Sequence, residues 1–376
     1  MKIAVITPGV LPIPSVKGGA VETLIDFYIE HNESCKEHKI TVYSIFDDAL
    51  SNYDFKHFSN TEFYFHHSHS LSTKVQRKLY QYFHKNFYYN HFIEYFLADV
   101  IKQIKKKQFD LIIVENRQGF ISILSKEINS PIILHLHNDT LDKDQPYAKD
   151  ILQACTKVIA ISKYIKKKVD TIQETNKVEI VYNGIDLNRF NIKNVLKLSR
   201  KEFGLSDNDF VVVYTGRIEK IKGIYQLIES FQLLQEYKDI KLLIVGGNIN
   251  SQNKQIISCG NKPYHQIPSI LSLCDLAVIP SICEDALTMT ALEDMAMGIP
   301  LIVTRSGGIP EAVDEECALI IDKENSLPEK LAKAILSLYN NEGKREQMSS
   351  HGKQRASLFS KDKYAQTFMQ KLSFKK

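Results

Sequence analysis

Short, almost uninterrupted apolar runs recur along the chain, each followed by a longer amphipathic stretch. In the first half they are Ile3–Thr7, Ile40–Ser44, Leu111–Val114, Ile132–Leu136, Val158–Ile161 and Val178–Val181. In the second half they are Phe210–Tyr214, Leu242–Val245, Leu276–Ile279, Leu301–Thr304 and Leu319–Ile321. Runs this short, with little polar alternation, read as strands buried on both faces, hence parallel strands covered by helices. The stretches between them carry helical spacing, as in Ile224, Leu227, Ile228, Phe231 and Leu234. Strand–helix alternation on both sides of the middle predicts an α/β chain of two doubly wound units. A length of 376 residues suits two domains. We expect a first domain over 1–190, a second over 191–360 and a terminal helix over 361–376. The polar stretch Asn191–Ser206 forms the link.

Composition removes several classes. No apolar run approaches the ~18 residues needed to span a bilayer. The opening MKIAVITPGVLP reads as a first strand rather than a signal peptide. Six scattered cysteines with no C-x-x-C predict reduced thiols, a cytoplasmic setting and no structural zinc. A net charge of +4 is too small to argue for nucleic acid. One region departs from the average: 74–107 holds eight basic and two acidic residues. Lys74, Lys78 and Lys85 share a helical stripe beside Val75, Leu79, Tyr82, Phe83 and Phe87. A basic face next to an aromatic one suits an anionic membrane surface, although an ordinary surface helix has the same pattern.

Three segments carry candidate chemistry. After the run ending at Tyr214 comes TGRIEKIKG, Thr215–Gly223, with Gly216, Arg217 and Lys222 on the loop leaving a strand. Open α/β sheets bind ligands at that end, and two cations there can neutralise a diphosphate. Gly18 and Gly19, between the first strand and a helical pattern, let backbone amides approach a ligand. No G-x-G-x-x-G follows the first strand, so a dinucleotide site is not signalled. The third segment, PSICEDALTMTALEDMAMGIPLIVTRSGGIPE, spans 280–311. Asp285 is expected at a helix start, with Glu293 eight residues on. At 1.5 Å per residue they would lie roughly 12 Å apart along the axis. That is too far for a glycosidase pair but suits one extended ligand with hydroxyls at both ends, such as a nucleotide sugar. Either carboxylate could also be an ordinary helix charge.

These segments together resemble the retaining GT-B glycosyltransferases of family 4, the group that extends bacterial surface glycans. The 280–308 segment resembles its E-x7-E pattern, and Gly216–Gly223 matches G-R-x4-K-G. VYNGIDLNRF (Val181–Phe190), GGAVE and LHLHND (Leu134–Asp139) are similar to its first-domain and hinge signatures. The resemblance implies a GT-B fold, two Rossmann-like domains facing a cleft, with acceptor on the first and donor on the second. It implies that Arg217 and Lys222 hold the donor diphosphate and that Glu293 binds the ribose. Asp285, with amides near Thr288 and Met289, would contact the donor sugar and phosphate. Gly18 and Gly19 would approach the diphosphate, and His137 would sit by the reacting sugar, with His135 structural. Asn183 and Gly184 would make the turn where the domains meet.

The sequence departs from the family at Asp285, where glutamate is usual, with Glu284 just before it. Ala286, Leu287 and Thr288 also replace the commoner residues. The expected activity is metal-independent hexosyl transfer from a nucleotide sugar, UDP-linked by family frequency, to a glycan or lipid-linked saccharide. No cofactor beyond that donor is implied. The setting would be surface-polysaccharide or capsule assembly in the cytoplasm, peripheral at the inner face of the plasma membrane. A nucleotide-sugar epimerase and a non-catalytic glycan-binding or partner-stabilising protein are the competing readings. His66, His67 and His69 lack a spaced carboxylate and read as an exposed loop rather than a metal site. Lys163–Lys168 reads as a solvated face, and Cys283 as a small packing residue.

Overall fold

The computed structural model describes residues 1–67, 75, 79, 82, 91–323 and 325–373, with backbone alone for 91–94. It divides into two compact units, Met1–Tyr182 with Tyr364–Lys376, and Asn183–Lys363.

The first unit holds a parallel sheet of β1 (Lys2–Ile6), β2 (Lys39–Ile45), β3 (Thr61–His66), β4 (Leu111–Glu115), β5 (Ile132–Leu136), β6 (Lys157–Ala160) and β7 (Val178–Ile180). Their order is β3-β2-β1-β4-β5-β6-β7. Ala4 of β1 pairs with Thr41 on one side and Ile112 on the other. Ile3 through Ile6 are completely buried, as a central strand covered on both faces requires. The helices are α1 (Ala20–Cys35), α2 (His91–Ile104), α3 (Gln118–Glu127), α4 (Ala148–Ala154) and α5 (Lys163–Asp170). On α1 the residues Leu24, Ile25, Tyr28 and Ile29 turn inward at helical spacing.

The second unit repeats the plan. Its strands are β8 (Phe210–Thr215), β9 (Ile240–Val245), β10 (Ile256–Ser258), β11 (Leu276–Ile279), β12 (Leu301–Thr304) and β13 (Ala318–Ile321), in the order β10-β9-β8-β11-β12-β13. The helices are α6 (Ile224–Gln232), α7 (Ile267–Leu271), α8 (Met289–Met297), α9 (Ile309–Ala312), α10 (Leu327–Tyr339) and α11 (Glu342–Ala356); α12 (Lys361–Lys371) begins in this unit but from Tyr364 belongs to the first. Ile224, Leu227 and Phe231 of α6 pack with Leu331, Ile335 and Leu338 of α10 in one apolar cluster over the sheet. In each sheet the strand order reverses at one place, between β1 and β4 and between β8 and β11. Ligand-binding crevices form outside the carboxyl ends of such strands.

The predicted strands all form. Two more, β3 and β10, escaped the pattern because TEFYFH mixes polar and charged residues with its aromatics and IIS is only three residues long. The expected link placed 183–190 with the first domain, whereas that segment is tied within the second unit. Ile185 N–H donates to the Phe359 carbonyl at 2.7 Å, and Asp186 pairs with Lys361. The end of the chain counts with the first unit. Phe368 on α12 stacks on Tyr28 at 4.5 Å and, with Tyr364, Met369 and Leu372, completes that unit's core. His66, expected on an exposed loop, ends β3 with its Nδ1 2.7 Å from Asp99 of α2, a carboxylate too distant in sequence to be noticed. His69 and Lys74, Lys78 and Lys85 lie outside the described residues. Among the described residues no helix is long and apolar enough to cross a membrane.

Phe368→Ala removes a fully buried ring from beneath the sheet of the first unit. We expect it to cost about 3–5 kcal/mol of that unit's stability, read from its urea unfolding midpoint.

Candidate functional site

In the second unit the loops leaving β8 and β11 lie against each other. The backbone amides of Ile282 and Cys283 both donate to the Ile221 carbonyl, at 2.9 and 3.0 Å. Gly223 allows this approach. It has φ +73°, and a Cβ there would sit 1.8 Å from the Pro280 carbonyl oxygen. Lys222 is therefore delivered to Asp285, and its Nζ pairs with Oδ1 while Ser281 Oγ donates to Oδ2. The Asp285 amide faces Ser306 Oγ at 3.4 Å, and its carbonyl accepts from Gly308 N–H at 2.6 Å. The neighbouring Glu284 turns elsewhere, to Lys323 and the Gly307 amide. Asp285, not Glu284, is thus the acid beside Lys222.

Asp285 does not begin the helix, as the sequence led us to expect. Its loop is pinned to the β12–α9 turn, and α8 starts at Met289 with Thr288 before it. The 1.5 Å rise per residue therefore does not apply between Asp285 and Glu293. Thr288 and Met289 lie at the amino end of α8, where unpaired amides and the helix dipole favour an anion. Arg217 is exposed and pairs with Glu219 at 2.8 Å, and Gly216 precedes it at the end of β8.

Glu293 projects from the middle of α8 into the interior, only 5% exposed, and accepts the Tyr264 hydroxyl at 3.0 Å. The Arg189 guanidinium lies 5.1 Å from the Tyr264 ring centre. Burial lifts the Glu293 carboxyl to about 7, against the opposing effects of Tyr264 and Arg189. Tyr264 and Arg189 were missed in the sequence. They reach Glu293 from separate loops, so no fixed spacing announces them.

The first unit carries a second constellation at the ends of β4 and β5. Glu115 is fully buried. One oxygen accepts the Tyr28 hydroxyl at 3.0 Å, and the other lies 2.9 Å from His137 Nε2. His135 Nδ1 approaches that same oxygen at 3.0 Å, yet neither of its ring nitrogens makes a hydrogen bond. Burial would raise the Glu115 carboxyl, but the two histidines outweigh it and bring it down to about 2. Burial, then His135, lowers His137 to about 4. A neutral imidazole against an ionised carboxylate carries its proton on Nε2, which leaves Nδ1 as an acceptor. The ligand atoms of Glu115, His135 and His137 lie within 4.8 Å of one another, so a cation could bridge them. Hydrogen bonding explains most of the same arrangement.

Gly18 and Gly19 precede α1 with φ of 73° and 105°. A Cβ on Gly19 would lie 2.2 Å from Glu22 Oε2, so the glycine leaves room for that carboxylate. Burial raises Glu22 to about 7. Of the predicted residues, Gly216, Arg217, Lys222, Asp285, Thr288, Met289 and Glu293 thus belong to the second unit, with Lys222 and Asp285 in direct contact. Gly18, Gly19 and His137 belong to the first. Glu115, which orients His137, was not anticipated, because a single acid at a strand end has no pattern.

Comparison with known proteins identifies the family. Residues 36–189 match the family described as Glycosyltransferase Family 4, and residues 197–355 match Glycosyl transferases group 1. The chain is 30% identical over 366 residues to the putative glycosyltransferase YtcC of Bacillus subtilis, covering 89% of this chain and 82% of that one. It is 30% identical over 220 residues to the capsular polysaccharide biosynthesis glycosyltransferase CapM of Staphylococcus aureus, covering 53% and 56%. The solved structure of Anabaena HepE in complex with UDP-glucose shares the fold, with a TM-score of 0.72, 19% identity and 99% of each chain covered. The chain belongs to the glycosyltransferases, with the GT-B fold.

The raised Glu293 carboxyl has a consequence for stability. A folded-state value near 7 against 4.5 means a contribution fully present below about 4.5 and lost as pH rises through 7. Glu293→Gln, which cannot ionise, should therefore raise the Tm at pH 8 and leave it nearly unchanged at pH 5. An equal effect at both values would contradict this.

Proposed function

We propose that this glycosyltransferase moves a hexose from a UDP-sugar to a glycan or lipid-linked saccharide, with retention of anomeric configuration and without a metal ion. The observation that carries the proposal is Lys222, held against Asp285 beside the β8–β11 reversal of strand order. In this reading the donor diphosphate takes the place beside Lys222 that Asp285 now fills alone, and Arg217 swings from Glu219 to join it. The amino end of α8 supplies amides to the same phosphates. Glu293, oriented by Tyr264, accepts the ribose hydroxyls. That UDP-glucose occupies HepE supports the choice of donor.

As the bond between anomeric carbon and diphosphate stretches, negative charge grows on the leaving group. Fixed cations and helix-end amides stabilise it without reorganising. The departing phosphate oxygen takes the acceptor proton on the same face, so no separate base is needed. His137 offers Nδ1 to a hydroxyl of the reacting sugar, its orientation held by Glu115. CapM's part in capsule synthesis supports surface-glycan assembly as the setting. Work on lipid-linked acceptors would place the enzyme in the cytoplasm at the inner face of the membrane. Val75, Leu79 and Tyr82, each more than half exposed, give it apolar surface for that docking.

Lys222→Ala and Arg217→Ala should each lower turnover by on the order of 10²–10³, measured as UDP release, with EDTA leaving the parent enzyme unchanged. Near-normal turnover in Lys222→Ala would remove that residue from the mechanism. In vesicle sedimentation, exchanging Lys74, Lys78 and Lys85 for glutamate should weaken binding to phosphatidylglycerol vesicles. Equal binding would discard the docking surface.

A further inference from the structure

The first unit contains a pocket of about 480 Å³ that the mechanism leaves unused. That volume lies within the ~300–1,000 Å³ typical of small-molecule sites. The pocket opens at the carboxyl ends of β4 and β5 beside the first turn of α1. Its walls include Glu22, Asn116, Arg117, Gln118, Asn138 and Gln145.

Arg117 is the member that needs explaining. Asn116 adopts a left-handed conformation, φ 51°, directly after β4, with its amide on the His135 carbonyl at 2.8 Å. Asparagine tolerates that conformation better than most residues. The bend ends the strand and carries Arg117 into the pocket wall. There the guanidinium is anchored by one edge only, Nε donating to the Pro8 carbonyl at 3.0 Å. Among the described residues Nη1 and Nη2 make no hydrogen bond, and no ion pair joins Arg117 to Glu22. A half-buried guanidinium with both Nη groups unpaired is a fork built for a planar or tetrahedral oxyanion. Val21 and Glu22 place the amino end of α1 on the same pocket, where the helix dipole favours the same charge, and burial, which lifts the Glu22 carboxyl to about 7, weakens the opposition its carboxylate would offer. Asn116 Oδ1 accepts His137 N–H at 3.0 Å, Gln118 Nε2 donates to the Thr140 carbonyl at 2.9 Å and Asn138 Oδ1 accepts the Thr140 hydroxyl, so the other ends of these amides, with Gln145, suit sugar hydroxyls.

We infer that this pocket binds the acceptor, and that the acceptor saccharide carries a carboxylate or phosphate held by the Nη groups of Arg117. The inference rests on the glycosyl-transfer reading for the word acceptor, because the donor diphosphate is assigned to Lys222 and Arg217 of the second unit. The oxyanion site itself stands on the pocket alone.

The test is binding to the full chain by ligand-observed NMR, with D-glucuronate and D-glucose as probes and UDP as competitor. Glucuronate should bind at least tenfold more tightly than glucose. Arg117→Ala should abolish the difference, and Arg117→Lys, which keeps the charge but loses the fork, should retain part of it. Matching Tm values certify that the variants are folded, and Arg117→Lys carries the comparison if Arg117→Ala is not. UDP should leave bound glucuronate in place. Binding of neither sugar, equal binding of both, indifference to Arg117 replacement, or displacement by UDP would each overturn the assignment. None of these results depends on turnover, so failure here is separable from failure of the transfer reading, which the Lys222 assay addresses.

Discussion

An ammonium and a carboxylate, both mostly withdrawn from water, hold the loops of the second unit in a working arrangement. Lys222 and Asp285 come from loops far apart in sequence, and their pairing requires the backbone contact that Gly223 permits. Removing either partner leaves a charge whose desolvation is uncompensated, a costlier state than the pair itself. The pair also keeps Lys222 from wandering over the surface before an anion arrives. Ser281, Ser306 and the Gly308 amide hold Asp285 in turn, so the cation rests on a pinned acid rather than a mobile one. Such support around a reacting group makes electrostatic stabilisation effective, because the dipoles need not reorganise.

Three buried carboxyls show how neighbours decide protonation. Glu115 meets two imidazoles and a tyrosine hydroxyl and stays ionised. Glu293 meets one hydroxyl and a distant guanidinium, and burial prevails. Asp294, next to it, has an oxygen without any partner and is pushed further still toward the neutral acid. The same residue chemistry thus yields a permanent anion, a group poised near neutrality and a proton-holding core residue. Only the first and second face machinery that we connect to substrate.

The fold was legible because central parallel strands are buried on both faces and leave apolar runs that nothing else imitates. Edge strands β3 and β10 were not, since one interrupts its aromatics with polar and charged residues and the other is too short to make a run. The motif residues Gly216–Gly223 and Asp285–Glu293 were legible as spacing within one segment. What stayed hidden was convergence. Tyr264 and Arg189 around Glu293, Glu115 and Tyr28 around His137, and Asp99 opposite His66 meet only after folding. Asp285 was placed on a helix because its sequence neighbours form one. A loop pinned by distant hydroxyls and amides has no periodicity to betray it.

The core of the first unit is discontinuous along the chain, closed only when Tyr364, Phe368, Met369 and Leu372 arrive. During synthesis from the amino end, Tyr28 and the ring of His135 must wait, uncovered, until residues 364–372 have been made. Nascent domains usually complete themselves as they emerge from the ribosome. Here a ribosome stalled anywhere in the second half would leave an open hydrophobic seam on a chain otherwise ready to fold, a natural point for chaperones to hold and for proteases to discard unfinished copies.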